Sequence, residues 1–146
     1  MDRRTMASPA SGLDQGQLAL LHARLEEERD TLTRRLKERR ERLLELANRQ
    51  PDDADWAKDS ADQSLLARLV DRDAKLLGEV QWALRKLENG TYGVCEQTGE
   101  PIGFDRLRAR PWSRLSLIAK ERREREDTNE APEVLGKHDA APDDAA

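Results

Sequence analysis

The sequence predicts a mainly α fold: a long antiparallel coiled-coil hairpin that carries a small glycine-rich globular module and a C-terminal helix. Three observations predict it. Leucines recur at spacings of three, four and seven in two highly charged segments. A short stretch bearing proline, aspartate and tryptophan, residues 50–57, separates those segments. Charged residues make up 38% of the 146 and aromatics only 3%, which leaves too little apolar material for a large core but suits a coiled coil with an appendage.

Residues 1–12 contain Pro9, Gly12 and scattered serines without apolar periodicity, and are expected to be disordered. The hairpin is expected over 13–89. Its first arm carries Leu18, Leu21, Leu25, Leu32, Leu36, Leu43 and Leu46 on one stripe. A run to Asn48 has about 36 residues and would be roughly 54 Å long. The basic cluster from Arg34 to Arg42 is interleaved with Glu38 and Glu41 and reads as a solvated face, with Glu38→Arg42 as a favourable i,i+4 pair.

Pro51 interrupts the helix and biases Gln50 away from helical geometry. Asp52, Asp53 and Asp55 can each cap the helix that follows, and their charge suits its positive end. On the residues alone this tip is either a solvated helix start or a set of carboxylates presented to a partner at the end of a lever. The second arm is expected from Trp56 or Ala57 to about Glu88. Leu66, Val70, Asp73, Leu77, Val80, Leu84 and Leu87 form its heptad seam, with Asp73 the one polar member. Two arms of similar length joined by a short turn pack antiparallel. Asn89-Gly90 ends the second arm, glycine supplying a left-handed cap.

In the module, residues 90–127, Val94–Gln97 and Ile102–Phe104 are expected as two short strands around Thr98-Gly99-Glu100. A final helix is expected from a Ser113 cap to Glu126. Tyr92, Val94, Ile102, Phe104, Leu107, Trp112, Leu115 and Ile118 are the candidate core, with Trp82 of the second arm offering part of a docking surface. Residues 128–146, rich in alanine, aspartate and proline, are expected to be a disordered tail.

Other function classes find little support. Net charge is −4, which gives no global sign of nucleic-acid or membrane binding. Arg3 and Arg4 are followed by no apolar signal segment, and the longest leucine/alanine stretch, Leu18–Leu21, is far too short to span a bilayer. One cysteine, Cys95, excludes an internal disulfide framework and fits a reducing compartment, so a cytoplasmic protein is expected. No catalytic triad, paired catalytic carboxylates, phosphate loop or DNA-reading motif is present, so neither an enzyme nor a direct sequence-specific DNA binder is expected.

The run Leu87-Glu88-Asn89-Gly90-Thr91-Tyr92-Gly93-Val94-Cys95, continuing through Thr98-Gly99-Glu100-Pro101-Ile102-Gly103 to Arg110-Pro111, resembles the C-terminal module of the DksA/TraR family of bacterial transcription regulators. Hairpin and tip fit the same family, so the resemblance covers about residues 15–127. The family's Asp-x-x-Asp-x-Ala tip falls on Asp52, Asp55 and Ala57. The resemblance implies a monomer that binds bacterial RNA polymerase through its secondary channel and brings those residues near the active centre, in the setting of the stringent response. It also implies a four-cysteine zinc site at the positions of Cys95, Thr98, Ser116 and Ala119. One thiol, two hydroxyls and a methyl cannot supply four zinc donors, and His22 and His138 lie in the wrong segments, so zinc is expected to be absent. The module is then a degenerate zinc-finger-like one, held by packing. The family's contacts to the effector ppGpp fall on Leu76, Arg110 and Lys120, with Glu79 as a charge reversal at a basic position. Two rival readings remain: a coiled-coil adapter for an unrelated partner, and a reactive-thiol sensor at Cys95, which neighbouring Glu96 and Glu100 disfavour.

Overall fold

The computed structural model describes the backbone of residues 11–49 and 55–140 and side chains as far as residue 129. Four helices occur among these residues: α1 (Gln15–Asn48), α2 (Trp56–Asn89), α3 (Phe104–Ala109) and α4 (Leu117–Ala140).

α1 and α2 have 34 residues each, about 51 Å at 1.5 Å per residue. Asp14 starts α1 through a capping box: its Oδ1 accepts from the Gln17 N–H at 2.8 Å, and Gln17 Oε1 accepts from the Asp14 N–H at 3.1 Å. The expected stripe points inward, with Leu18, Leu21, Leu25, Leu32, Leu36 and Leu46 buried. Arg49 at the end of α1 lies beside Asp59 near the start of α2, while Arg35 and Arg39 reach Asp73 midway. Those pairs fix the arms as antiparallel. Gly90 closes α2 at φ 75°, its N–H donating to the Leu87 carbonyl, while the Thr91 N–H donates to that of Lys86.

The core sits at the base of the hairpin. Leu18, Leu21, Leu25 and Leu32 of α1 meet Val80, Ala83 and Leu87 of α2, together with Tyr92, Cys95, Ile102, Leu107 and Ala119 of the module. Full burial of one such side chain contributes about 1.5–3 kcal/mol. Phe104, Trp112 and Leu115 pack against this core as expected. Ile118 does not: it is 62% exposed, because α4 turns its Ala119 face inward instead. Val94 is half-buried.

The two expected strands reduce to a single antiparallel bridge, Val94 to Pro101, and no strand occurs among the described residues. Gly93, Gly99 and Gly103 all have positive φ, and Pro101 has no N–H, so a ladder cannot extend in either direction. Phe104, expected to end a strand, instead opens α3. That helix has Asp105 in its first turn, Arg106 and Arg108 in its last, and Leu107 fully buried. The final helix begins at Leu117 rather than at Ser113. The Pro111–Trp112 turn and the bond from the Glu96 N–H to the Arg114 carbonyl hold 111–115 out of helical geometry. Ser116 caps instead, its Oγ accepting from the Ala119 N–H at 3.2 Å.

Two boundaries also move. α4 continues to Ala140, although composition assigns residues 128–146 to a disordered tail. At the other end Ser11 is buried, although composition assigns 1–12 to a disordered segment. It packs on Gly93, where an added Cβ would lie 2.7 Å from the Ser11 Cβ, and Gly93 also needs its φ of +92°.

Candidate functional site

Three regions carry the residues singled out by the sequence. The first is the tip. Asp52 lies outside the described residues. Asp55 stands at the N-cap position of α2 with helical φ and ψ, and its side chain makes no capping bond, contrary to the capping role expected for it. Its N-cap geometry is not the extended one that aims a carboxylate at the first-turn amides. Asp55, Trp56 and Ala57 are all exposed, Trp56 at 64%, at the end of the hairpin opposite the module.

The arms behind the tip hold a feature that the sequence shows only in part. Asp73 was visible as the polar member of the seam, but not its partners. Arg35 grips it in a bidentate fork, Nη2 to Oδ1 at 2.9 Å and Nε to Oδ2 at 3.1 Å, and Arg39 Nη1 donates to Oδ2 as well. Burial pushes the Asp73 carboxyl up, but the hydrogen bonds and charges of Arg35 and Arg39 outweigh it and hold the group below its usual range. So the basic cluster is not solely a solvated face. Its outer member Arg42 pairs with Glu45 at 3.2 Å instead of Glu38.

The second region is the junction of hairpin and module. Glu96 receives Trp82 Nε1 at 2.7 Å and Lys86 Nζ at 3.0 Å on Oε2, and Arg114 Nε at 2.9 Å on Oε1. Burial raises this carboxyl, yet the bonds from Arg114, Trp82 and Lys86 pull it down to about 2. The guanidiniums of Arg85 and Arg114 lie 5.3 and 5.4 Å from the Trp82 ring centroid. Trp82 therefore does serve docking, as its position in the sequence suggested, and Glu96 is its unforeseen partner. Nearby, the buried Tyr92 hydroxyl donates to the Pro111 carbonyl at 2.8 Å, and Arg106 Nε donates to that of Leu115 at 3.0 Å.

The four positions assigned to a metal come together here. Cys95 is 2% exposed, and its sulfur is hydrogen-bonded by the Thr98 side chain and by the backbone of Ser116, Thr98 and Gln97. Burial raises the thiol, but those bonds outweigh it and lower it to about 6, reversing the expectation that the neighbouring glutamates would disfavour the thiolate. Glu96 does not oppose it, because its carboxylate is turned onto Trp82 and Lys86. Ser116 Oγ is committed to the Ala119 amide, and Ala119 contributes only a methyl, fully buried. This donor set does not fit a zinc ion. Among the described residues no group of three or more His, Cys, Asp or Glu is placed to hold a metal.

The third region is an open cleft of about 800 Å³ between α2 and the module. Arg110, Lys120 and Glu79 all line it, so the structure gathers three of the four residues assigned to an effector. Leu76 packs against the core rather than lining the cleft. Arg106, Arg114 and Arg123 add cations to its wall, while Glu96, Glu124 and Asp127 add carboxylates. Trp112 lies in the same wall with the Arg110 guanidinium 6.0 Å from its ring. Among the described residues no helix is long and apolar enough to cross a membrane.

Residues 90–125 match the profile of the prokaryotic dksA/traR C4-type zinc finger. An RNA polymerase-binding transcription factor DksA from Caulobacter vibrioides is 49% identical over 76 residues, 52% of this chain and 54% of that protein. An uncharacterized protein of Aquifex aeolicus is 34% identical over 112 residues, covering 75% of this chain and 77% of that one. The match to the Caulobacter protein spans about half of that relative's length. The solved structure of transcription factor DksA2 from Pseudomonas aeruginosa superposes with a TM-score of 0.72 at 35% identity, covering 88% of this chain and 99% of that chain.

Proposed function

The chain belongs to the DksA/TraR family, and from that premise we propose that it is a regulator of bacterial RNA polymerase and not a catalyst. The hairpin enters the enzyme's secondary channel, and Asp52, Asp55 and Ala57 at its tip alter the stability of open promoter complexes. One observation supports this reading above the others. A pair of 34-residue helices leads away from the folded base and ends in exposed Asp55, Trp56 and Ala57. A coiled-coil adapter has no need of an acidic tip so far from its core.

The same reading makes the protein cytoplasmic and monomeric, acting without zinc. Packing around the buried Cys95 and the Glu96 clamp take over the cross-linking that a metal gives its C4-type relatives. ppGpp is the proposed effector of the cleft, with Arg110 and Lys120 as its cations, Leu76 as an apolar neighbour and Glu79 as an unfavourable charge.

The test is co-purification with RNA polymerase, followed by transcription in vitro from a ribosomal promoter with and without ppGpp. Stoichiometric binding with a shortened open-complex lifetime is the expected result. No binding to polymerase, or binding without effect on transcription, overturns the proposal.

A further inference from the structure

The two halves of the hairpin are held by different chemistry. Near the module, α2 buries Val80, Ala83 and Leu87 in the core. Toward the tip, the buried residues of α2 are Asp59 and Asp73. The seam residues between them, Leu66 and Val70, are half-buried, and Leu65 is 52% exposed. Apolar knobs at heptad spacing specify register weakly, because a slip of seven residues replaces one with another. Such a slip would bring Leu66 or Val80 to the place of Asp73.

Asp73 breaks that degeneracy. Arg35 and Arg39 lie one turn apart on α1, and the carboxylate bonds to both. Its side chain is 4% exposed, so away from those two guanidiniums it would be a buried charge without a partner. Asp59 repeats the device nearer the tip. Its Oδ2 lies 3.5 Å from Arg49 Nε across the arms, an ionic contact, and has no hydrogen-bond partner.

We propose that Asp73, held by Arg35 and Arg39, is a positioning residue that sets the register of the two arms and hence the axial place of the acidic tip, with Asp59 and Arg49 pinning the distal end. The register is a property of the free protein. Its consequence for transcription rests on the function proposed above.

The experiment separates the two. Nitroxide labels are attached through non-natural ketone side chains at the exposed Ala23 and Ala61, which leaves Cys95 untouched. They lie roughly 36 Å apart along the arms by helix rise, and a heptad slip moves them by about 10 Å. The wild type gives one narrow distance distribution. Asp73→Leu removes only the carboxylate, and the Arg35 and Arg39 side chains, 39% and 28% exposed, can turn to water, so the variant melts near the wild-type temperature. It nonetheless gives a second population displaced by about 10 Å, binds polymerase and loses the effect on promoter complexes. Asp73→Asn keeps the shape without the charge and also shows the second population; it decides the matter if Asp73→Leu fails to fold. A single wild-type distance in the folded Asp73 variants overturns the proposal, for then the leucines alone set register. Altered distances with a wild type that never engages polymerase uphold the register claim and overturn the functional reading.

Discussion

The indole N–H of Trp82 donates to Glu96 Oε2 at 2.7 Å, joining the second arm of the hairpin to the turn that follows Cys95 in the module. Lys86 and Arg114 converge on the same carboxylate, so one acidic group ties together three segments of chain.

A pH dependence follows. The Glu96 carboxyl falls from about 4.5 when free to about 2 when folded. A lowered carboxyl gives its full stabilisation above the free value and loses it as pH falls through the folded value. Docking of the module therefore weakens between about pH 4.5 and 2. Near-UV circular dichroism should report this as loss of the Trp82 environment. Glu96→Gln should remove that part of the pH dependence and cost about 1.5–3 kcal/mol at neutral pH, the scale of hydrogen bonds to a charged group.

The metal prediction is independent of it. Elemental analysis of purified protein should find well under one zinc per chain, and a chelator should leave the melting temperature unchanged. Cys95→Ser should cost less than about 1.5 kcal/mol, as a small buried thiol is exchanged for a hydroxyl among hydrogen-bonding neighbours. One zinc per chain, or unfolding by chelator, contradicts the packing account of the module.

Glu79 shares its cleft with Arg110 and Lys120. Exchanging its charge should strengthen any polyphosphate held there. Glu79→Lys is expected to lower the ppGpp concentration for half-maximal effect roughly three- to tenfold, with less difference at high salt. A strong wild-type response that vanishes in Glu79→Ala would reverse the sign assigned to this carboxylate.

The tip can be tested apart from the fold. Asp55 makes no side-chain cap bond, so Asp55→Asn should change stability by less than about 1 kcal/mol. Ala57 is exposed on the first turn of α2, and Ala57→Thr should be similarly mild. Both, with Asp52→Asn, should keep polymerase affinity while the effect on promoter-complex decay drops several-fold. Wild-type decay in all three variants would reduce the tip to a solvated turn, and loss of folding would make the aspartates structural.

The hairpin was legible because its signal is periodic. Leucines from Leu18 to Leu46 and the Asn89-Gly90 stop mark α1 and the end of α2 with little ambiguity. The module was less legible because its conformation is decided by single residues. Gly93, Gly99, Gly103 and Pro101 admit one bridge where the β-branched Val94 and Ile102 suggest strands. α3 has six residues, too few for periodicity to identify. The clustering of Arg110, Lys120 and Glu79 could be expected only from the family resemblance, since these residues are far apart in the chain. The partners of Asp73 were within reach: an aspartate in an apolar seam needs cations opposite, and Arg35 and Arg39 are spaced for it.

The uneven burial along α2 has a consequence for how the sequence can change over time. Residues near the base sit among Val80, Ala83 and Leu87 and answer to the stability of the whole fold. The exposed positions around Leu65 touch little, so most exchanges at them fall within about 0.5 kcal/mol of neutral. Mutational tolerance at exposed positions of α2 is thus greatest toward the proposed working end of the molecule. Output can drift or be retuned there, one side chain at a time, without the chain losing its ability to fold.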